Sequence, residues 1–241
     1  MHKLFALLVL SVFVVSCSSA PPPVPLRYPR KPALQEHIGR ATVALVVRNN
    51  DGDTRPYCTG TFISSNTILT ASHCIEHMAE KQERKDPVGT SIQYIVEDEV
   101  VGINEEPKAM HNAVAVKTSF DLDLAVLETV GAVPDHDIAS IAKYTPMIGE
   151  HVFTVGQTHG LYWSYMEHTV ANYRSKIPQD DRKANYVQLD GHIFGGNSGG
   201  ALFDKDGNIV GVAESILTTV PGVGLCVDLD NIKSFLTPDK K

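Results

Sequence analysis

Beyond Ile38 the chain alternates short apolar stretches with turn residues. The stretches are four to eight residues long, are rich in Val, Ile and Thr, and are separated by Gly, Asn and Asp. They read ATVALVVR, TGTFIS, TILTAS, SIQYIV, LAVLETV, HVFTVG, YVQLD, ALFD, NIVGVAES and GVGLCVDL. Short strands at this spacing are typical of an all-β sandwich or barrel. The pattern therefore predicts an all-β fold and leaves both architectures open.

Two segments favour helices instead. They are IEHMAEKQERK, residues 75–85, and DLDNIKSFL, residues 228–236. The charged run from Glu76 to Lys85 is interpreted as a solvated face. No internal repeat of useful period accompanies these elements, and the pattern predicts no second domain after the last strand.

The N-terminus has a different composition from the rest of the chain. Lys3 precedes LFALLVLSVFVV, twelve nearly unbroken apolar residues, which is shorter than the ~20 that a membrane-spanning helix needs. This predicts a signal peptide over residues 1–16. The sequence VVSC resembles the lipobox of bacterial lipoproteins, which implies lipidation at Cys17 and a membrane anchor. The alternative is ordinary secretion with cleavage near CSSA.

A proline-rich segment follows the apolar run. SSAPPPVPLRYPRKP contains six prolines and cannot build a core, so residues 17–36 are predicted to form a semi-rigid tether. The folded domain is expected from His37 onward, over residues 37–241. An exported chain with this layout would lie in a bacterial cell envelope, facing the periplasm or the exterior. The formal net charge is −7 and no long basic run occurs, which argues against nucleic acid as a partner.

Three separate stretches point to one chemistry. TASHC carries His73, FDLDLAVLE carries Asp121 and Asp123, and GGNSGG carries Ser198. A serine hydroxyl is a weak nucleophile near neutral pH and needs a histidine base, which in turn needs a carboxylate to fix its tautomer. The glycines permit a tight turn that exposes Ser198 and lets the amides of Gly196 and Ser198 converge on a developing oxyanion.

These motifs, in the order His, Asp, Ser, resemble those of the chymotrypsin/trypsin-like serine peptidases. SHC, DLAVL and GNSGG match the three family motifs, and GEHVFTVGQTHG with GNIVGVAES is similar to the bacterial high-temperature-requirement branch. The resemblance implies two antiparallel six-stranded β-barrels, over about 37–133 and 134–227, and a short C-terminal helix over 228–237. The PDZ domains usual in that branch are expected to be absent.

The resemblance also implies roles for individual residues. His73 is the expected general base, Ser198 the nucleophile, and the amides of Gly196 and Ser198 the oxyanion hole. Asp123 is favoured over Asp121 as the carboxylate because two apolar residues and a strand follow it directly. The implied function is a serine endopeptidase that acts on a polypeptide through an acyl-enzyme and without a cofactor. The alternative is a catalytically silent binding lipoprotein of the same fold.

The resemblance also bears on Cys58, Cys74 and Asn197. Cys58 and Cys74 lie at the spacing at which family members bridge the histidine loop, whereas Cys226 is expected to be a small apolar residue in a buried strand. Asn197 stands where zymogen-activated members carry an aspartate that pairs with a freed N-terminal amine. Activation by N-terminal clipping is therefore not expected.

The substrate pocket is expected, by resemblance, to include His192, Ile193, Glu214 and Ser215. Since His192 stands where trypsin-type enzymes carry an aspartate, cleavage after Lys or Arg is not expected. An apolar or small side chain is the first expectation, and an acidic one is the alternative. A metal site is not expected either: His73 and His77 have a helical ligand spacing, but a third ligand is not apparent.

Overall fold

Two closed antiparallel barrels of six strands each make up the fold, as the resemblance predicted. The computed structural model describes residues 33–48, 54–75, 92–96, 109–134, 136–177, 180–214 and 222–238. The first barrel has the strand order β1-β2-β3-β6-β5-β4 and the second has the order β10-β11-β12-β9-β8-β7. Every named strand pair is antiparallel. Each strand pairs on both sides, so neither barrel has a free edge.

The strands of the first barrel end before residue 130 and those of the second begin after residue 150, on either side of the boundary expected at 133–134. The first barrel comprises Thr42–Arg48 (β1), Thr54–Phe62 (β2), Thr67–Thr70 (β3), Ile92–Val96 (β4), Ala109–Ser119 (β5) and Leu124–Thr129 (β6). The second comprises His151–Thr158 (β7), Leu161–Arg174 (β8), Tyr186–Leu189 (β9), Ala201–Phe203 (β10), Ile209–Glu214 (β11) and Gly224–Asp228 (β12).

The strands that the apolar pattern predicted are the short, buried ones. In β11 all six residues are buried, and in β6 the first four are. The two longest strands, β5 and β8, were not among the predicted stretches. In β5, Val114 and Val116 are about half exposed (52% and 50%), so this strand lacks the apolar run of a buried strand. Most residues of β8 are only partly buried.

A helix that the sequence did not predict precedes the first strand. Ala33–Ala41 (α1) includes residues 33–36 of the segment predicted as a tether, so the fold starts before the expected His37. The reason is packing, because Ile38 is fully buried and Leu34 lies against the same core. The proline content of the preceding residues concealed this start.

The predicted C-terminal helix is present as Leu229–Leu236 (α2). Asp228 caps its N-terminus by accepting a hydrogen bond from the amide of Asn231 at 2.9 Å. The helix predicted over 75–85 lies outside the described residues except for its first position, Ile75. Among the described helices, none has the length and apolar content needed to cross a bilayer.

One apolar cluster runs from the first barrel into the second. It joins Phe62 and Leu69 of the first barrel to Val155 and Phe203 of the second, with Ile38 of α1. Because protein interiors are densely packed, this shared core fixes the two barrels relative to each other. It thereby also fixes the cleft in which loops from both barrels meet.

Candidate active site

The histidine of the predicted triad lies directly after β3. His73 and the next two residues form a helical turn. A disulfide between Cys58 and Cys74 links this turn to β2, as the family resemblance implied. The hydroxyl of Tyr57 donates a hydrogen bond to the carbonyl oxygen of Cys74. The His73 side chain is 19% exposed, so it is held in place but open on one side.

Asp123 lies in the turn that leads into β6. Its backbone φ is +51°, a left-handed conformation that aspartate tolerates better than most residues, and its amide donates to the carbonyl oxygen of Phe120. This turn aims the carboxylate at the histidine. The distance from His73 Nδ1 to Asp123 Oδ2 is 2.8 Å, and the His73 amide nitrogen lies 2.9 Å from Oδ1. Ser72 Oγ donates to the same oxygen at 3.0 Å.

These contacts change the acidity of both groups. Burial by itself raises the pKa of Asp123, but hydrogen bonds from His73 and Glu214 outweigh it and hold the pKa well below its usual range. Burial by itself lowers the pKa of His73, but the hydrogen bond to Asp123 and the negative charge beside it raise the pKa above its ordinary value. The pair is therefore set up as an anionic carboxylate that stabilises an imidazolium. Asp121, the disfavoured candidate, lies on the surface, where it pairs with Lys183 at 2.6 Å.

Ser198 is carried by a glycine-rich turn before β10. The amide of Asn197 donates to the carbonyl oxygen of Phe194 at 3.0 Å, and Gly196 at the third position of this turn has a φ of +97°. A Cβ atom on Gly196 would lie 2.0 Å from the carbonyl oxygen of Gln157, so this position accepts glycine alone.

One hydrogen bond sets the direction of the Gly196 amide. The carbonyl oxygen of Gly195 accepts from the amide of His159 at 2.8 Å. Because the peptide bond between Gly195 and Gly196 is trans, the N–H of Gly196 points the opposite way, away from the turn between β7 and β8. This orientation leaves the N–H available as a donor on the other side of the loop.

The serine turn is also bonded to the first barrel. Thr59 of β2 donates its amide to the carbonyl oxygen of Ser198 at 2.8 Å and its hydroxyl to the carbonyl oxygen of Gly196 at 2.7 Å. The sulfur of Cys74, next to His73, lies 3.6 Å from the same Ser198 oxygen. The backbone of Ser198 therefore lies against the disulfide that carries the histidine turn.

Asn197 is turned into the second barrel. The hydroxyl of Thr158 donates to its Oδ1 at 3.0 Å, and a Cβ atom on Gly156 would lie 2.5 Å from that oxygen. The asparagine is thus anchored through a neutral hydrogen bond and close packing on β7.

Glu214 is not located at the rim of a substrate pocket, where the sequence placed it. Its side chain is fully buried at the end of β11, with Oε1 4.0 Å from His73 Nδ1. Arg182 Nη1 lies 2.6 Å from Glu214 Oε2 and 2.9 Å from Asp123 Oδ2, and Arg182 Nε is bound by Asp180 at 3.0 Å. Sequence reasoning missed Arg182, because no motif connects the segment 180–183 to the other site residues.

Of the other expected pocket residues, His192 lies beside Phe194, at the start of the serine turn. His192 Nδ1 accepts from the amide of Gly222 at 3.1 Å, and its ring lies 5.2 Å from that of Phe194. Ile193 is buried in the core of the second barrel, where a Cβ atom on Gly224 would lie 2.9 Å from it. Ser215 and Cys17 lie outside the described residues, and Cys226 is buried with a free thiol.

A cavity of about 430 Å³ opens beside His73. Its walls are formed by Ser72, His73, Phe120, Asp121, Asp123, Asp180, Asp181 and Arg182. Phe120 is 55% exposed there, so the cavity offers an apolar ring among polar groups.

His73, Asp123 and Glu214 also bring three metal-ligand atoms within 4.8 Å of one another. The guanidinium of Arg182 already bridges the two carboxyl groups as a cation. The arrangement therefore fits an internal ion-pair network rather than a metal site. His77, the other half of the metal spacing considered above, lies outside the described residues.

Known proteins resemble this chain in sequence and in fold. The trypsin-like peptidase domain matches residues 58–212. A probable periplasmic DegP-like serine endoprotease from Buchnera aphidicola subsp. Baizongia pistaciae is 24% identical over 130 residues, or 53% of this chain and 28% of the relative. An HtrA-like serine protease from Staphylococcus aureus is 23% identical over 225 residues, or 78% of this chain and 29% of the relative. The chain thus spans less than a third of the length of either relative.

Solved structures share the fold. The inactive form of a serine-to-alanine mutant of Rv3671c from M. tuberculosis H37Rv superposes with a TM-score of 0.62 at 15% identity, covering 85% of this chain and 88% of that chain. At this identity the likeness concerns the architecture alone. The domain match, however, covers more than half of the chain and includes all three motifs. This chain therefore belongs to the trypsin-like peptidase family.

Proposed function

We propose that the protein is a serine endopeptidase that uses Ser198 as nucleophile, His73 as general base and Asp123 as the carboxylate that orients it. The observation that carries this proposal is the buried Asp123–His73 pair, with a distance of 2.8 Å between carboxylate and Nδ1. The bond to Nδ1 directs the proton of the neutral imidazole to that nitrogen. Nε2 is then free of a proton and can act as the base.

Acylation follows from these roles. The Ser198 oxygen attacks the carbonyl carbon of the scissile peptide bond while its proton passes to Nε2 of His73. The imidazolium so formed is stabilised by Asp123, whose lowered pKa keeps it ionised over the working pH range. The C–N bond then breaks, the leaving amine takes the proton from His73, and the acyl group remains as an ester on Ser198.

The developing oxyanion needs donors that are already oriented. The direction of the Gly196 amide, set by the bond between the Gly195 carbonyl and the His159 amide, supports its role as one donor. The amide of Ser198 is the proposed second donor. In deacylation, water attacks the ester with His73 again as the base, and the acid product and free Ser198 are released.

Export and anchoring belong to the same proposal. The apolar run, the cysteine at position 17 and the proline-rich tether support a peptidase held on a bacterial envelope membrane, with polypeptide substrates outside the cytoplasm. The name of the Buchnera relative, a probable periplasmic endoprotease, agrees with this location. The lipid anchor is tested by Cys17→Ser, which should move the protein from the membrane fraction to the soluble fraction and abolish palmitate incorporation.

Catalysis is tested with a fluorophosphonate probe and a diverse peptide library. The wild type is expected to be labelled at Ser198 and to cleave peptides, while Ser198→Ala and His73→Ala do neither. Ser234→Ala is the matched control, because Ser234 is an exposed serine on α2 whose hydroxyl only bonds within the helix. Absence of labelling in a folded wild type contradicts the proposal and favours the binding lipoprotein of the same fold.

A further inference from the structure

A second carboxyl group lies buried beside the proposed triad. The side chain of Glu214 is 0% exposed, and its Oε1 lies 4.0 Å from His73 Nδ1. An oxygen of its carboxyl group lies within 4.8 Å of an oxygen of Asp123, and Arg182 Nη1 contacts both carboxyl groups, at 2.6 and 2.9 Å. Two buried carboxyl groups this close to each other disfavour double ionisation, so one of them is expected to carry a proton.

The donors around Asp123 decide where the proton lies. Asp123 accepts hydrogen bonds from Ser72 Oγ, the His73 amide and His73 Nδ1, and it contacts the guanidinium of Arg182 at 2.9 Å. Each of these donors stabilises the ionised form of Asp123. The proton of the pair is therefore assigned to Glu214, from which it can be donated to Asp123.

A charge count agrees with this assignment. If both acids were ionised, the single positive charge of Arg182 would face three negative charges, those of Asp123, Glu214 and Asp180. With Glu214 neutral, the number of negative charges falls to two, and Glu214 still accepts from Arg182 at 2.6 Å through Oε2. A neutral acid can thus satisfy both neighbours at once, as donor to Asp123 and acceptor from Arg182.

Building on the triad proposed above, we infer that Glu214 is a positioning residue: its protonated carboxyl group, held by Arg182, fixes the Asp123 carboxylate that orients His73. Glu214 acts on the reaction only through Asp123 and does not touch the substrate. Its loss should therefore lower kcat and leave KM nearly unchanged.

The groups that face Glu214 from neighbouring elements are His73, Asp123, Arg182, Tyr186 of β9 and Cys226 of β12. Burial, followed by the hydrogen bond to Asp123, raises the pKa of Glu214 to about 8. Because the pKa of Glu214 is higher in the folded state than its ordinary value of 4.5, protonation of Glu214 stabilises the fold, and this contribution is complete below pH 4.5. This stabilisation is lost as the pH rises through about 8.

The test uses two variants of similar volume that differ in hydrogen bonding. Glu214→Gln keeps a donor for Asp123 and an acceptor for Arg182 and should retain kcat within about threefold. Glu214→Met fills the same space without either bond and should lose kcat by about 30-fold or more, with KM changed less than about twofold. Retention of wild-type kcat in a folded Glu214→Met overturns the inference.

The pH profile separates positioning from a merely structural role. On this inference Glu214 is neutral in the pH range where His73 titrates. The midpoint of the acid limb of kcat/KM in Glu214→Gln should therefore lie within about 0.3 pH units of the wild-type midpoint. If Glu214 were ionised, removing its charge 4.0 Å from His73 would lower that midpoint by about one unit or more. On the alkaline side the wild type should lose kcat as Glu214 ionises, and Glu214→Gln should not. An acid limb displaced in Glu214→Gln, or an alkaline limb shared by both, overturns the inference.

A measurement without substrate keeps this inference separate from the proposed function. In protein with ¹³C-labelled glutamate carboxyl groups, one resonance should titrate near pH 8 and be missing from Glu214→Gln. Titration of that resonance near its ordinary value overturns the inference even if Glu214→Met fails to fold. A wild type that cleaves nothing but shows the high titration contradicts the endopeptidase proposal and leaves the shared proton in place.

Discussion

The two sides of the cleft hold their site residues by different means. On the first barrel, His73 and Asp123 are held by side chains: a disulfide beside the histidine, and a carboxylate that accepts from Ser72 and His73. On the second barrel, the turn around Ser198 is held by its backbone. Its carbonyl and amide groups bond to His159, Phe194 and Thr59, and its glycines approach other backbone atoms closely.

This difference decides how each side responds to change. Side-chain hydrogen bonds can be removed one at a time, and the free-energy cost of each depends on the charge and burial of the partner left behind. The cost of adding a side chain to the backbone turn does not vary in this way, because even a single Cβ atom would clash with backbone atoms held in place by the fold. At Gly199, for example, a Cβ atom would lie 2.5 Å from the carbonyl oxygen of Thr59. The serine side is therefore expected to be intolerant of any side chain, and the histidine side to be sensitive to charge.

The largest effect is expected on the histidine side from Asp123→Asn. The amide cannot offer His73 Nδ1 a negative charge, so the imidazolium loses its stabilisation and kcat should fall about 1,000- to 10,000-fold. Steady-state kinetics measure this loss. The matched control is Asp121→Asn, which removes a surface ion pair with Lys183 and should leave kcat within about twofold. Equal losses in the two variants would show that the histidine side does not depend on this particular charge.

The next largest effect tests the backbone of the serine side. Gly196→Ala places a methyl group 2.0 Å from the carbonyl oxygen of Gln157 and forces a φ of +97° on alanine. The turn must shift and the amide of residue 196 with it, so kcat should fall about 100- to 1,000-fold, the size of a lost oxyanion donor.

Gly160→Ala is the control for backbone strain alone. Gly160 has a φ of +85° but open space around its Cβ position, so alanine there should cost about 1 kcal/mol of stability and little activity. If Gly160→Ala and Gly196→Ala lost the same activity, strain rather than the approach of backbone atoms would govern the serine side.

The same contrast explains what the sequence could predict. His73, Asp123 and Ser198 each lie in a short continuous sequence motif within one turn. Each could therefore be proposed as a candidate from its own segment of the sequence. Arg182 and Glu214 come from separate segments that meet only in the folded barrel. The resemblance placed Glu214 in the substrate pocket, and its contact with Arg182, 32 residues earlier in the chain, has no signal in either segment.

The strands divide in a similar way. Short buried strands such as β6 and β11 can be predicted from their continuous apolar runs. The long strands β5 and β8 curve around their barrels with exposed or half-exposed residues, so their stability comes from pairing on both sides and not from apolar content. Ile193 was placed in the substrate pocket by resemblance, and its side chain is buried in the core of the second barrel.

A smaller effect is expected when the disulfide on the histidine side is removed. Cys58 and Cys74 are 16 residues apart, and closing a loop of this size is worth about 3 kcal/mol. The double variant Cys58→Ala/Cys74→Ala should lose about that much free energy of unfolding in a denaturant titration. Cys226→Ala, which alters a buried free thiol, is the control for lost cysteine packing. A double variant as stable as the wild type would show that side-chain hydrogen bonds suffice to hold His73.

The smallest effect is expected where the two sides touch. Thr59→Val keeps the amide bond to the carbonyl oxygen of Ser198 and removes the hydroxyl bond to Gly196 at 2.7 Å. The turn then loses one of its fixed points, at a cost of about 1 kcal/mol, which corresponds to about a fivefold loss in kcat. Thr59→Ser retains the hydroxyl and should retain kcat. A larger loss in Thr59→Ser than in Thr59→Val would mean that the methyl group packed against Gly200, and not the hydrogen bond, aligns the serine turn with the first barrel.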